Sequence, residues 1–260
     1  MTDPHILSCL TLLRLPGMKA EYARQDELRH AMEALPFEER FLMIVNAEQN
    51  RRENNKLTKS LRDANLRDRA AALEGLVYLP ARKIDRQFIA RISDCSFIKD
   101  GRDVLLTGAT GTGKTFVASA IGVAACHAGF SVRAYKMHRL LVDVNVRVND
   151  GTYEKVLGDL RKPDLLILED FGMECIGPNF CRYLLEVIEE RRFIGSKSLL
   201  ISSQLPVSEW HGMLEDRTAA DAIMDRLVNH GPHRIDLKGP SMREWLSGQN
   251  TADTPAYTPT

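Results

Sequence analysis

Cysteine is scarce, the formal net charge is nil and long apolar runs are missing, and each shortage removes a class of function. The five cysteines, Cys9, Cys95, Cys126, Cys175 and Cys181, are scattered, odd in number and form no C-x-x-C pair. That pattern supports neither a zinc site nor a disulfide framework, and it predicts reduced thiols in a cytoplasmic protein. A net charge of +0 argues against a surface coated in basic charge, though a local basic stripe for nucleic acid fits within it. No apolar run approaches the roughly 18 residues that a bilayer span needs, and no charged-then-apolar leader is seen. The expectation is a cytoplasmic protein with no membrane partner. Apolar residues at 44% and charged residues at 27% make a packed core feasible and exclude wholesale disorder.

The first 75 residues carry helix punctuation and no convincing strand. Asp3 can cap a helix opening at Pro4, and Pro16-Gly17 is expected to end it. A second helix is predicted over Lys19 to Ala34, and a third from Pro36, with Phe37, Phe41, Ile44 and Val45 on one face. Between Arg51 and Ala70 seven Lys/Arg face three Asp/Glu, which reads equally as a solvated helix face or as a phosphate-facing surface that includes Arg51 and Arg52. Residues 76–101 look like a basic linker, with Arg82, Lys83, Arg86 and Arg91.

From Arg102 strands alternate with helices, the pattern of an α/β parallel sheet covered by helices on both faces. Strands are predicted at Val104–Thr107, Ser131–Tyr135, Leu165–Glu169, Ser198–Ser202 and Arg234–Leu237, with helices including Lys114–His127, Pro178–Arg192 and Thr218–Asn229. The domain limits expected are 1–75 helical, 102–247 catalytic and 248–260 a disordered polar tail.

Against this background, Gly108-Ala109-Thr110-Gly111-Thr112-Gly113-Lys114-Thr115 follows the apolar run Val104-Leu105-Leu106 and precedes a helical pattern. It matches the phosphate-binding loop G-x-x-x-x-G-K-[ST] in the strand–loop–helix setting that the motif requires. The glycines let backbone amides turn toward phosphate oxygens, and the amides at the helix start, through Phe116, add their partial positive charge. Lys114 is assigned to the β- and γ-phosphates of ATP and the Thr115 hydroxyl to Mg²⁺.

The second element is Leu165-Leu166-Ile167-Leu168-Glu169-Asp170, a buried strand delivering two carboxylates at its C-terminal edge, where open α/β sheets bind ligands. One can hold Mg²⁺ while the other positions the attacking water. Their order, Glu before Asp, places Glu169 at the usual metal position and Asp170 at the usual water position. The strand ending Ser202-Ser203-Gln204 would point Gln204 at the γ-phosphate region. Asp225-Arg226 and Arg243 provide late guanidinium groups, which can reach a phosphate in the transition state or form surface ion pairs.

Together these features resemble an AAA+ ATPase, and more finely the IstB-like helper proteins of insertion-sequence transposition, relatives of the bacterial helicase loaders. The residues that carry the finer resemblance are Leu15-Pro16-Gly17-Met18, Tyr78-Leu79-Pro80-Ala81-Arg82, the phosphate loop and Asp170-Phe171-Gly172. Ser202-Ser203-Gln204-Leu205-Pro206 leading to Trp210-His211, Ala222 to Leu227, and Lys238 to Arg243 complete the set. The resemblance implies a P-loop AAA+ parallel sheet preceded by a small all-helical domain for DNA, partner or self-association. It implies an ATPase that oligomerises on double-stranded DNA with ATP at subunit interfaces, deforms the DNA and recruits a transposase. It further implies Gln204 at the sensor-1 position, Arg226 as the arginine finger and Arg243 at a sensor-2-like position. Gln204 in place of the common Asn, and the Glu-Asp order, are departures that bear on hydrolysis rate.

Helices inserted after the second strand would supply DNA contacts, with Lys136, Arg139, Arg147 and Lys155 as candidates. The competing readings are a replicative helicase loader, a small P-loop metabolite kinase and a nucleotide-gated clamp with negligible hydrolysis.

Overall fold

The computed structural model describes residues 3–252. The chain divides into two compact units, 1–59 and 60–260.

The first unit is helical, as its punctuation predicts: α1 (Pro4–Leu12), α2 (Pro16–Glu27), α3 (Arg29–Met32) and most of α4 (Phe37–Asp63). Asp3 caps α1 by accepting the His5 amide at 2.8 Å. Pro16-Gly17 does not close α1 but opens α2, because Pro at the first helical position forfeits an amide that has no partner there anyway. The expected single helix over Lys19 to Ala34 breaks at Leu28, giving α2 and α3.

The start of α2 is held by a charge from α4. Glu48 is 5% exposed and accepts the Gly17 amide at 2.7 Å and the Met18 amide at 3.4 Å. A Cβ on Gly17 would lie 2.8 Å from both the Ala47 carbonyl oxygen and the Glu48 Cα, so only glycine allows this approach. Burial alone would raise the Glu48 carboxyl. The Arg52 hydrogen bond and the two amides outweigh it and hold the group below the usual carboxylate range.

The second unit begins inside the last turn of α4. A 3₁₀ turn at Leu73–Gly75 precedes the expected linker, which holds a second one (Pro80–Arg82), α5 (Arg86–Ser93) and α6 (Ser96–Lys99). The sheet follows, with β1 (Val104–Gly108), β2 (Val132–Lys136), β3 (Leu165–Phe171), β4 (Ser198–Ser203) and β5 (His233–Leu237). All pairings are parallel, in the order β2-β3-β4-β1-β5. The crossovers are α7 (Lys114–His127), α8 (Met137–Asn149) with α9 (Tyr153–Arg161), α10 (Pro178–Ile194) and α11 (Arg217–Asn229). Each predicted strand lies within two residues of the observed one. Residues 248–252, expected to be tail, continue α12 (Met242–Ala252); positions 253–260 lie outside the described residues.

Leu165 to Leu168 are fully buried, as both faces of a parallel sheet require. Each such side chain contributes roughly 1.5–3 kcal/mol relative to exposure. Arg191, 1% exposed, ties the layers together by donating to the carbonyls of Leu160, Pro163 and Ser198 at 3.1, 2.7 and 2.7 Å. Its burial pushes the guanidinium down to about 10.

Candidate nucleotide site

The strand order brings the motif-bearing strand ends together. β1 delivers the phosphate loop, its neighbour β4 delivers Gln204, and β3, one strand further, delivers the acidic pair. A cleft of about 380 Å³ opens at this edge. It is lined by Thr110, Gly111, Gly113, Lys114, Thr115, Phe116, Asp170 and Gln204 from the predicted set, with Arg243 from α12. Gly108, Ala109 and Thr112 shape the loop without lining the cleft. Ala109 accepts a hydrogen bond from Thr112 Oγ1 at 2.8 Å.

Lys114 is 8% exposed and its Nζ donates to the Gly108 and Ala109 carbonyls at 2.7 and 2.9 Å. Burial lowers its pKa, while the Asp170 charge raises it in part. Gly111 has φ +85°, and a Cβ there would lie 2.6 Å from Ser241 Oγ. Its carbonyl accepts the Met242 amide at 2.8 Å, so the loop and the start of α12 are joined by backbone.

The acidic pair owes its geometry to an irregularity in β3. Side chains alternate along a strand: Ile167 faces α7, where its Cδ1 lies 3.0 Å from the position of a Cβ on Gly122, and Glu169 shares that face. Leu166 and Leu168 point into the opposite core. The β3–β4 register then shifts between Leu168 and Phe171, and Asp170 takes a left-handed conformation at φ +62°. The extra residue reverses the alternation. Phe171 therefore joins Leu166 and Leu168 in the core, and Asp170 lines the cleft.

Glu169 is 4% exposed. Burial raises its pKa first of all, the Asp170 charge adds to this, and Thr115 hydrogen bonding with the Lys136 and Arg67 charges opposes it. Its Oε2 is buried without a hydrogen-bond partner. A buried carboxylate oxygen left open beside a hydroxyl is a hard-oxygen donor set that suits Mg²⁺. Among the described residues, no group of three or more His, Cys, Asp or Glu side chains could hold a metal ion. The remaining ligands would then be phosphate oxygens and water, the usual arrangement for Mg²⁺ with a nucleotide.

Gln204 Oε1 accepts the Thr110 hydroxyl at 2.5 Å, and its amide lies 3.6 Å from Met173 Sδ. Arg226 is not at this cleft. On α11 it pairs with Glu189 and donates to the Ala222 carbonyl at 3.0 Å.

The DNA candidates are carried by α4, β2, α8 and α9. Arg51 and Arg52 lie on α4 in the first unit, 3.9 and 2.9 Å from Glu48. Lys136 ends β2, 3.8 Å from Asp170. Arg139 and Arg147 lie on α8, and Lys155 on α9.

Sequence reasoning gave no site role to Arg67, Met173, Met242 or Leu246, which line the cleft, nor to Arg82. Arg82, 3% exposed, donates to the carbonyls of Thr112 in the loop and Val77 at 2.8 and 2.7 Å. Periodicity cannot mark an arginine buried by backbone carbonyls, and the charge of Arg67 was absorbed into the basic count over 51–70.

Comparison with known proteins agrees with this geometry. A family model described as IstB-like ATP binding protein matches residues 8–249. An insertion-sequence ATP-binding protein of Sinorhizobium fredii is 34% identical over 243 residues, covering 91% of this chain and 94% of the relative. One from Pseudomonas fluorescens is 36% identical over 208 residues, covering 80% and 89%. Among solved structures, DnaI aligns with TM-score 0.55 at 19% identity, covering 65% of this chain and 92% of that one. The DnaC helicase loader aligns with TM-score 0.51 at 17% identity, covering 65% and 97%. These two show a shared fold. With the family model spanning nearly the whole chain and the phosphate loop in its structural setting, this protein belongs to the IstB-like ATP-binding proteins.

Proposed function

We propose that this chain is an ATP-hydrolysing regulator of transposition that assembles on double-stranded DNA, deforms it and recruits a partner transposase. The observation that supports its chemistry best is the buried, open Glu169 Oε2 beside Thr115, with Asp170 turned into the cleft by the β3 bulge.

In this reading the loop amides and Lys114 bind the β- and γ-phosphates of ATP. Thr115 and Glu169 would hold Mg²⁺, which supplies charge neutralisation on the phosphates. Asp170 orients and accepts a proton from the attacking water, and Gln204 hydrogen-bonds that water or the γ-phosphate. Arg243 meets the phosphates from α12. Arg226, half-buried on α11 and outside its own cleft, acts on the nucleotide of a neighbouring copy. The insertion-sequence relatives favour a transposase partner; the helicase-loader alternative has fold similarity alone in its support. Pull-downs with transposase and with helicase separate the two.

The chemistry is tested with Lys114→Ala. The expected result is loss of ATP binding together with loss of ATP-dependent assembly on duplex DNA, read by light scattering. Assembly that still responds to ATP in this variant overturns the proposal.

A further inference from the structure

The cleft contains a cation that the phosphate loop and the late arginines do not account for. Arg67 stands four residues beyond the end of α4, where the chain runs along β2, an edge strand of the sheet. The Ala64 carbonyl accepts the Ala134 amide at 2.8 Å. Asn65, at φ +54°, donates from its side chain to the Ala134 carbonyl at 3.1 Å. On the other side the Asp68 amide donates to Ser119 Oγ of α7 at 3.4 Å. Leu66 is buried, with its Cδ2 only 2.6 Å from where a Cβ on Gly122 would stand.

Both neighbours of Arg67 are therefore fastened to the β2 edge and to α7, the helix that the phosphate loop leads into. Arg67 itself is exposed, and among the described residues it makes no hydrogen bond or ion pair. It lines the same cleft as Lys114, Thr115 and Asp170.

We propose that Arg67 is a further nucleotide-contacting residue that binds the γ-phosphate of ATP within the same chain. The inference rests on the ATP reading above. A planar guanidinium with its donors uncommitted, on anchored backbone beside the groups assigned to the terminal phosphate, matches two oxygens of one phosphate at once. It lines the cleft together with Lys114 and Asp170, so its charge offsets the repulsion that Glu169 and Asp170 exert on the γ-phosphate. ADP lacks the group it would hold.

The test measures equilibrium binding of fluorescent ATP and ADP analogues to the full chain, comparing wild type, Arg67→Ala, Arg67→Lys and Lys114→Ala. Arg67→Ala is expected to weaken ATP about tenfold or more and ADP less than about twofold, with Arg67→Lys between, because an ammonium keeps the charge but loses the fork. An ATP-to-ADP preference in Arg67→Ala equal to that of wild type overturns the inference, whether both affinities fall equally or neither moves. If wild type binds ATP and Lys114→Ala does not, that outcome leaves the ATP reading standing. If wild type itself binds neither nucleotide, both fall. Arg67 is exposed, and an unchanged circular dichroism melt confirms that the variants fold.

Discussion

At the scale of single residues, the two carboxylates differ in burial. Glu169 is enclosed beside Thr115 with an oxygen left open, whereas Asp170 lines the cleft and lies 3.8 Å from the Lys136 ammonium. The first position suits a metal ligand and the second a group that meets water, despite the reversed Glu-Asp order. Glu169→Gln keeps the shape but loses the charge and exchanges one acceptor oxygen for an amide donor. It is expected to leave ATP affinity within about threefold while lowering steady-state turnover about 100-fold or more, the usual range for removing a group that acts on the reacting centre. Phosphate-release kinetics and nucleotide titration read the two effects separately. Equal turnover in variant and wild type contradicts the assignment.

Both carboxylates were legible as a pair from the sequence, because four apolar residues ending in two acids is a strand-edge pattern. The bulge that turns Asp170 into the cleft was not. It depends on β4 pairing with β3 on both sides of Asp170, a relation between residues roughly thirty positions apart that no local propensity encodes.

At the scale of elements, two contacts show backbone proximity deciding what side chains are allowed. The Gly111 carbonyl joins the phosphate loop to α12 through the Met242 amide, so α12, which carries Arg243, starts at the nucleotide cleft. In the helical unit, Gly17 lets α2 sit against α4 with Glu48 satisfying its first amides. Gly17→Ala has no space for its methyl beside the Ala47 carbonyl and the Glu48 backbone, and the two helices must part. The expected cost is about 1–3 kcal/mol, seen as a lower midpoint in thermal or urea unfolding followed by circular dichroism. A midpoint equal to wild type shows that this contact does not hold in solution. The sequence marks this place only as Pro-Gly, the usual sign of a helix end, and the same dipeptide here starts a helix. Local punctuation identifies a boundary but not which side of it the helix occupies.

At the scale of the whole molecule, the decisive placement is that of Arg226. Its guanidinium is committed to Glu189 and the Ala222 carbonyl and does not line its own chain's cleft, so any role in hydrolysis requires a second copy. Arg226→Ala is expected to keep nucleotide affinity near wild type and to reduce turnover by about 10³-fold or more, the scale reported for arginine fingers. Mixing it with Lys114→Ala restores part of the activity only if sites are shared, because the Lys114→Ala copies supply an arginine to intact neighbouring loops. ATPase rates that stay at the sum of the two separate variants exclude shared sites.

The sequence by itself determined the strand–loop–helix of the phosphate site, the five parallel strands to within two residues each, and the helical character of the N-terminal unit. Those features rest on periodicity, turn chemistry and a motif whose spacing is local. The tertiary structure alone decided which side chains share the cleft. It placed Arg67 there along the β2 edge, buried Arg82 beside the loop, left Arg226 outside, and turned Asp170 into the cleft. Those outcomes arise from strand order, one register shift and backbone hydrogen bonds between distant segments, interactions whose partners are chosen only when the sheet closes around its core.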